Sequence, residues 1–230
     1  MSPPIRAPFF EIGPKNLLRR GEVEALAAAA GRAGADHDVC VILTVPTAFV
    51  APVHDLDTGV HVMAQGMDLD LPGPSMHRVT AEALVDAGAT GVMLNHDADP
   101  LEPDELERAI ERAQQVGLNT VVCAATEADA VRSASLGPTV VLLEPPELIG
   151  GSDAGPRTWI APSTAAVHSA APHVLAMHAG GVATPRVAHD IVAAGADGTG
   201  STSGVLGAHD PLAAARAFIA ATRAGWDTRA

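Results

Sequence analysis

The sequence predicts an α/β fold, a single-domain (βα)8 barrel over residues 1–230. Three observations predict it. Strand-like and helix-like segments alternate from end to end. Eight strand-like segments share 230 residues, roughly one per 29, which is the rhythm of a strand, a helix and two short loops. No Gly-x-Gly-x-x-Gly run follows the first strand, which sets aside the doubly wound dinucleotide-binding sheet.

The strand segments are 8–12, 38–44, 60–65, 90–95, 118–124, 139–144, 173–178 and 197–201. They are short and mostly continuous in apolar residues, as expected of parallel strands buried on both faces. The helices fall between them, at 21–33, 79–87, 103–116, 127–136, 162–170, 185–194 and 211–224. Their starts carry proline beside a polar or small residue: Glu102-Pro103, Ala161-Pro162-Ser163, Thr184-Pro185 and Asp210-Pro211. Their ends are set by Gly34, Gly88, Gly117, Gly137 and Gly195. The second connection, residues 47–57, is irregular, and no helix is assigned there. No linker, charge block or low-complexity stretch divides the chain.

Composition narrows the function. The formal net charge of −13, with 14 Lys and Arg thinly spread, leaves no basic stripe for nucleic acid. The longest apolar runs are far short of a membrane span and no apolar leader opens the chain, so a soluble cytoplasmic protein is expected. Cys40 and Cys123 sit inside apolar strands and read as buried thiols. The ten histidines are scattered, and neither a metal nor a cofactor is expected.

The run Val140-Val141-Leu142-Leu143-Glu144-Pro145-Pro146-Glu147-Leu148-Ile149-Gly150-Gly151 is the most informative. A buried strand ends on a carboxylate and continues into a loop stiffened by two prolines and freed by two glycines. In a barrel, chemistry collects at the carboxyl ends of the strands. Read in order, those ends supply Lys15, Gln65, Asn95 with His96, Glu144, then Gly180-Gly181 and Ser201-Thr202-Ser203-Gly204. Together they offer a base, an electrophile, a cation and glycine-rich backbone able to cradle an anion.

On these motifs the chain resembles the triosephosphate isomerase family, in its short archaeal-type form. The resemblance rests on Lys15, Ala64-Gln65, Pro72-Gly73, Leu94-Asn95-His96, the Glu144-to-Gly150 lid and the stretch from Gly198 to Pro211. It implies that Glu144 is the catalytic base, that His96 polarises the carbonyl and shuttles protons, and that Lys15 holds charge on the substrate and enediolate. It also implies a phosphate site at Gly150, Gly180, Gly181, Ser203 and Gly204, and a small phosphorylated substrate. The sequence departs from the family pattern at Gly13 (Asn in the family), at Met76-His77 (Thr-Gly) and at Asp97-Ala98 (Ser-Glu).

The expected reaction is the interconversion of a small phosphorylated aldose and ketose, with glyceraldehyde 3-phosphate and dihydroxyacetone phosphate first. A paralogue acting on another phosphosugar such as a tetrulose phosphate, a carbon–carbon lyase using Lys15 as a Schiff base, and a non-catalytic phosphate-binding barrel are the alternatives. His77 and Arg78 read first as a solvated loop pair, with recognition of a group that a triose lacks as the alternative. The third connection, residues 68–78, carries Leu69, Leu71 and Met76 among polar residues and is expected to pack on a second copy, giving a homodimer or a higher homo-oligomer.

Overall fold

In the computed structural model, which describes residues 2–148 and 157–229, eight parallel strands close into a barrel in chain order. They are β1 (Phe9–Ile12), β2 (Cys40–Val45), β3 (His61–Ala64), β4 (Gly91–Leu94), β5 (Asn119–Ala124), β6 (Val140–Leu143), β7 (Leu175–His178) and β8 (Gly198–Gly200). Each overlaps the segment expected for it. Closure is made at β1, where Phe9 pairs with Cys40 on one side and Gly198 on the other. The helices are α1 (Arg20–His37), α2 (Val50–His54), α3 (Ala81–Asp86), α4 (Pro103–Gln115), α5 (Glu127–Ser135), α6 (Ile160–Ala170), α7 (Pro185–Ala193), α8 (Ser203–Leu206) and α9 (Pro211–Asp227). No described helix is long and apolar enough to cross a membrane.

Local chemistry fixes most of the helix ends. Thr80, Thr126, Thr184 and Asp210 each accept a backbone N–H of the first turn with their side chains. Pro103, Pro185 and Pro211 occupy the first helical position, where no N–H is missed. Gly88, Gly117, Gly137 and Gly195 take positive φ just past their helices.

Two expectations are corrected. Helix α1 does not stop at Gly34; it runs on to His37 and ends where Asp38 turns left-handed at φ 50°. Gly34 is there for packing, since a Cβ on it would stand 2.8 Å from Val41 Cγ2 and 2.9 Å from the Val39 carbonyl. The second connection does hold a helix. Thr47–Phe49 forms a 3-10 turn that leads into α2, with Val50 and Val53 buried and Pro52 in the first turn. Five residues are too few to show a 3.6-residue period, which is why the sequence hid it.

The core has two layers, set by the two-residue alternation of a strand. In β1, Phe10 and Ile12 point outward into the shell between barrel and helices, where Phe10 meets Phe218 of α9 with ring centres 5.6 Å apart. Phe9 points inward to join Ile42, Met63, Val121, Cys123, Val140, Leu142 and Met177 inside the barrel. The same alternation sends Glu11 inward. Both cysteines are free and buried in this inner layer. These apolar side chains plug the barrel and leave its carboxyl-end mouth open.

Candidate active site

A cavity of about 670 Å³ opens at that mouth. Its walls come from the loops after six strands, so residues far apart in sequence meet there. Lys15 follows β1, Gln65 follows β3, His96 follows β4, Glu144 follows β6, Gly180 and Gly181 follow β7, and Ser203 follows β8. Gly204 lies just outside the lining: its N–H donates to Ser201 Oγ at 3.1 Å, and a Cβ on it would meet the Val182 carbonyl at 2.5 Å. Gly150 lies outside the described residues. His77 and Arg78 do not line the cavity; Arg78 is held by Asp68 at 2.9 Å within the third loop.

The loop after β4 is built to aim His96. Asn95 adopts φ 58°, a left-handed conformation that Asn tolerates better than most residues. Its amide donates to the Cys123 carbonyl at 2.9 Å and its oxygen accepts the Leu101 N–H at 3.0 Å, tying β4, β5 and the start of α4 together. His96 Nδ1 accepts the Ala98 N–H at 3.0 Å. An Nδ1 that accepts leaves the ring proton on Nε2, which makes the imidazole a neutral donor. Burial and then the Lys15 charge push the His96 pKa below its usual value, against Asp97 and Asp99. Neutral imidazole is the form favoured here.

Glu144 is pushed the other way. Burial raises its pKa, Lys15 opposes that, Asp97 adds to it, and a hydrogen bond from the Gly180 backbone lowers it again. Gly180 sits at φ 86°, and a Cβ there would stand 2.9 Å from Leu148 Cβ and 3.5 Å from Glu144 Cγ. Only glycine fits so close to the carboxylate in that conformation. Gly181 is also left-handed, and its carbonyl accepts Arg157 Nη2 at 3.2 Å. Lys15 adopts φ 50° in a loop whose Gly13 carbonyl accepts the Thr202 hydroxyl at 2.8 Å. That bond, with Ser201 Oγ donating to the Val182 carbonyl at 2.6 Å, explains the polar end of β8: its hydroxyls join the loops after β1, β7 and β8.

Sequence reasoning passed over Glu11, Thr44 and Arg157. Glu11 and Thr44 line the cavity. The signal for Glu11 was present, as a lone carboxylate inside an otherwise apolar strand. Burial raises its pKa to about 7; the Thr44 hydroxyl and Lys15 lower it and Glu144 raises it. Below pH 4.5 the folded and unfolded chains both hold this proton and the group costs nothing. As pH rises from 4.5 to 7 the unfolded chain releases it first, so stability falls by about 3 kcal/mol and stays lower above that range. Glu11→Gln is expected to remove this slope. Urea unfolding of both proteins between pH 5 and 8 checks it, and equal slopes would exclude the effect.

His178 at the end of β7 is a buried structural group. Its Nε2 shares a 2.8 Å hydrogen bond with Thr164 Oγ1, its ring meets Trp159 edge-on at 5.2 Å, and burial pushes its pKa down to about 3. Among the described residues no group of three or more His, Cys, Asp or Glu is placed to hold a metal ion.

Four similarities to known proteins accompany this geometry. The triosephosphate isomerase family profile matches residues 15–210. Triosephosphate isomerase of Sulfurisphaera tokodaii is 31% identical over 186 residues, covering 80% of this chain and 81% of that protein. The enzyme of that name from Pyrobaculum arsenaticum is 45% identical over 91 residues, 40% of this chain and 41% of that protein. The match thus spans about two fifths of the length of the Pyrobaculum proteins. In three dimensions the chain is similar to triosephosphate isomerase from Bartonella henselae, with a TM-score of 0.74, 18% identity and coverage of 95% of this chain and 100% of that one. At that identity the likeness is one of fold.

Proposed function

Because this chain belongs to the triosephosphate isomerase family, we propose that it interconverts a small phosphorylated aldose and ketose, glyceraldehyde 3-phosphate and dihydroxyacetone phosphate first among them. The observation that carries the reading is the meeting of Lys15, His96 and Glu144 in one cavity with Gly180, Gly181 and Ser203. Glu144 takes the proton from the carbon next to the carbonyl and returns it to the neighbouring carbon. Its raised pKa makes it a stronger base than a free carboxylate. His96 Nε2–H donates to the carbonyl oxygen, where negative charge develops, and moves the proton between the two oxygens. Lys15 holds the charge of the enediolate. The net reaction shifts hydrogen within one molecule and calls for no outside oxidant.

The phosphate is assigned to the backbone at Gly180 and Gly181 and to Ser203. Local donors and Lys15 then hold an anion in a protein of net charge −13. Solvent-deuterium incorporation into dihydroxyacetone phosphate tests the reading; a protein that exchanges no carbon-bound proton in three- to five-carbon phosphosugars is not an isomerase.

Residues 1–230 are assigned to one domain, acting in the cytoplasm, in glycolysis, as a homodimer. Support for the dimer lies in the third loop, where Leu71 is 66% and Met76 81% exposed while Leu69 packs against the core. Exposed apolar side chains on a projecting loop call for a covering surface. Met76→Asp is expected to yield monomers by sedimentation at micromolar concentration. A wild-type protein that sediments only as a 23.3 kDa species would exclude the dimer.

A further inference from the structure

Glu11 is buried, with 6% of its surface exposed, on the floor of the cavity below Lys15 and Glu144. Its Oε1 makes no hydrogen bond of normal geometry among the described residues, and neither does Thr44 Oγ1, although the Thr44 hydroxyl lies near enough to lower the Glu11 pKa. Two glycines make room for the carboxyl. A Cβ on Gly13 would stand 3.0 Å from Glu11 Oε1, and a Cβ on Gly200 of β8 would stand 2.9 Å from Glu11 Oε2. Any larger residue at either position would crowd it. A buried polar oxygen without a partner is costly, and one that faces a cavity can recover the loss when a ligand enters.

The geometry points to Glu11 as a substrate-binding residue, whose carboxyl hydrogen-bonds a hydroxyl or carbonyl oxygen at the deep end of the phosphosugar. The inference rests on the phosphosugar reading and extends it to the end of the substrate that carries no phosphate. The titratable groups facing Glu11 are Lys15 after β1, Glu144 after β6 and the Cys123 thiol of β5. Burial holds its pKa near 7, so in neutral and acidic solution a large share of Glu11 carries the proton needed to donate. Glu144 can then remain the anion of the pair. Among the strand residues that line the cavity, Glu11 and Thr44 are the polar side chains beside Met93 and Leu142, so a substrate oxygen at this depth has Glu11 and Thr44 to bond.

Calorimetric binding of glycerol 3-phosphate, which has two hydroxyls and cannot isomerise, is compared with that of inorganic phosphate. The proteins are wild type, Glu11→Ala and Glu11→Gln at pH 6.5. Glu11→Ala is expected to weaken glycerol 3-phosphate by about 10- to 100-fold and to leave inorganic phosphate within about twofold. Glu11→Gln, which keeps a donor at the same place, is expected to recover most of the loss. Equal weakening of both ligands by Glu11→Ala marks a structural support and overturns the assignment, as does no weakening of either. A wild-type protein that binds neither ligand overturns the phosphosugar reading, and Glu11's role with it; failure of the Glu11 assignment alone is recognised by a wild type that binds both.

Discussion

Glu144→Gln is expected to lower turnover on the order of 10²–10⁴-fold while leaving the barrel intact. The amide fills the same volume at the end of β6 and can still accept the Gly180 backbone hydrogen bond through its oxygen, but it cannot take a proton. Steady-state turnover of the two purified proteins checks this, with thermal unfolding as the control for the fold. Activity of Glu144→Gln within about threefold of wild type would remove Glu144 from the role of base. The same group predicts the acid limb of the pH profile. Burial, the largest influence on Glu144, raises its pKa, so activity is expected to fall with acid at a higher pH than for an ordinary glutamate.

The second large effect is expected at the anion end. Ser203→Asp places a carboxylate on the lining at the start of α8. Two like charges about 4 Å apart repel by about 4 kcal/mol at an effective dielectric of about 20, or roughly three orders of magnitude in binding. Phosphate and sulfate are therefore expected to lose nearly all affinity. Gly181→Asp should have the same effect, but its φ of 61° adds backbone strain to the charge, so Ser203→Asp is the cleaner experiment. Anions that bind Ser203→Asp as they bind wild type would move the phosphate site elsewhere in the barrel.

The eight strands were legible because parallel strands buried on both faces have nothing but apolar residues to show, and the helices because proline, threonine and glycine mark their ends. Helix α2 was hidden by its length, and the end of α1 by a glycine that serves packing rather than termination. Lys15, His96 and Glu144 could be found because each stands just past an apolar run, where a barrel has its mouth.

Sequence by itself determined the barrel, its strand order and the ring of loops from which chemistry could come. Each of those follows from local propensity and from the period of apolar residues, which neighbours along the chain specify. What faces what was decided only by the closed sheet. It turned Glu11 inward onto the floor, held Asn95 as a brace for His96 rather than a cavity residue, tied Arg78 to Asp68, and brought Gly13 and Gly200 to either side of one carboxyl. Gly13 and Gly200 are 187 positions apart in the chain (200 − 13). They flank the carboxyl through the pairing of β1 with β8, whose existence the barrel implies but whose register, and so which residues stand side by side, no local pattern encodes.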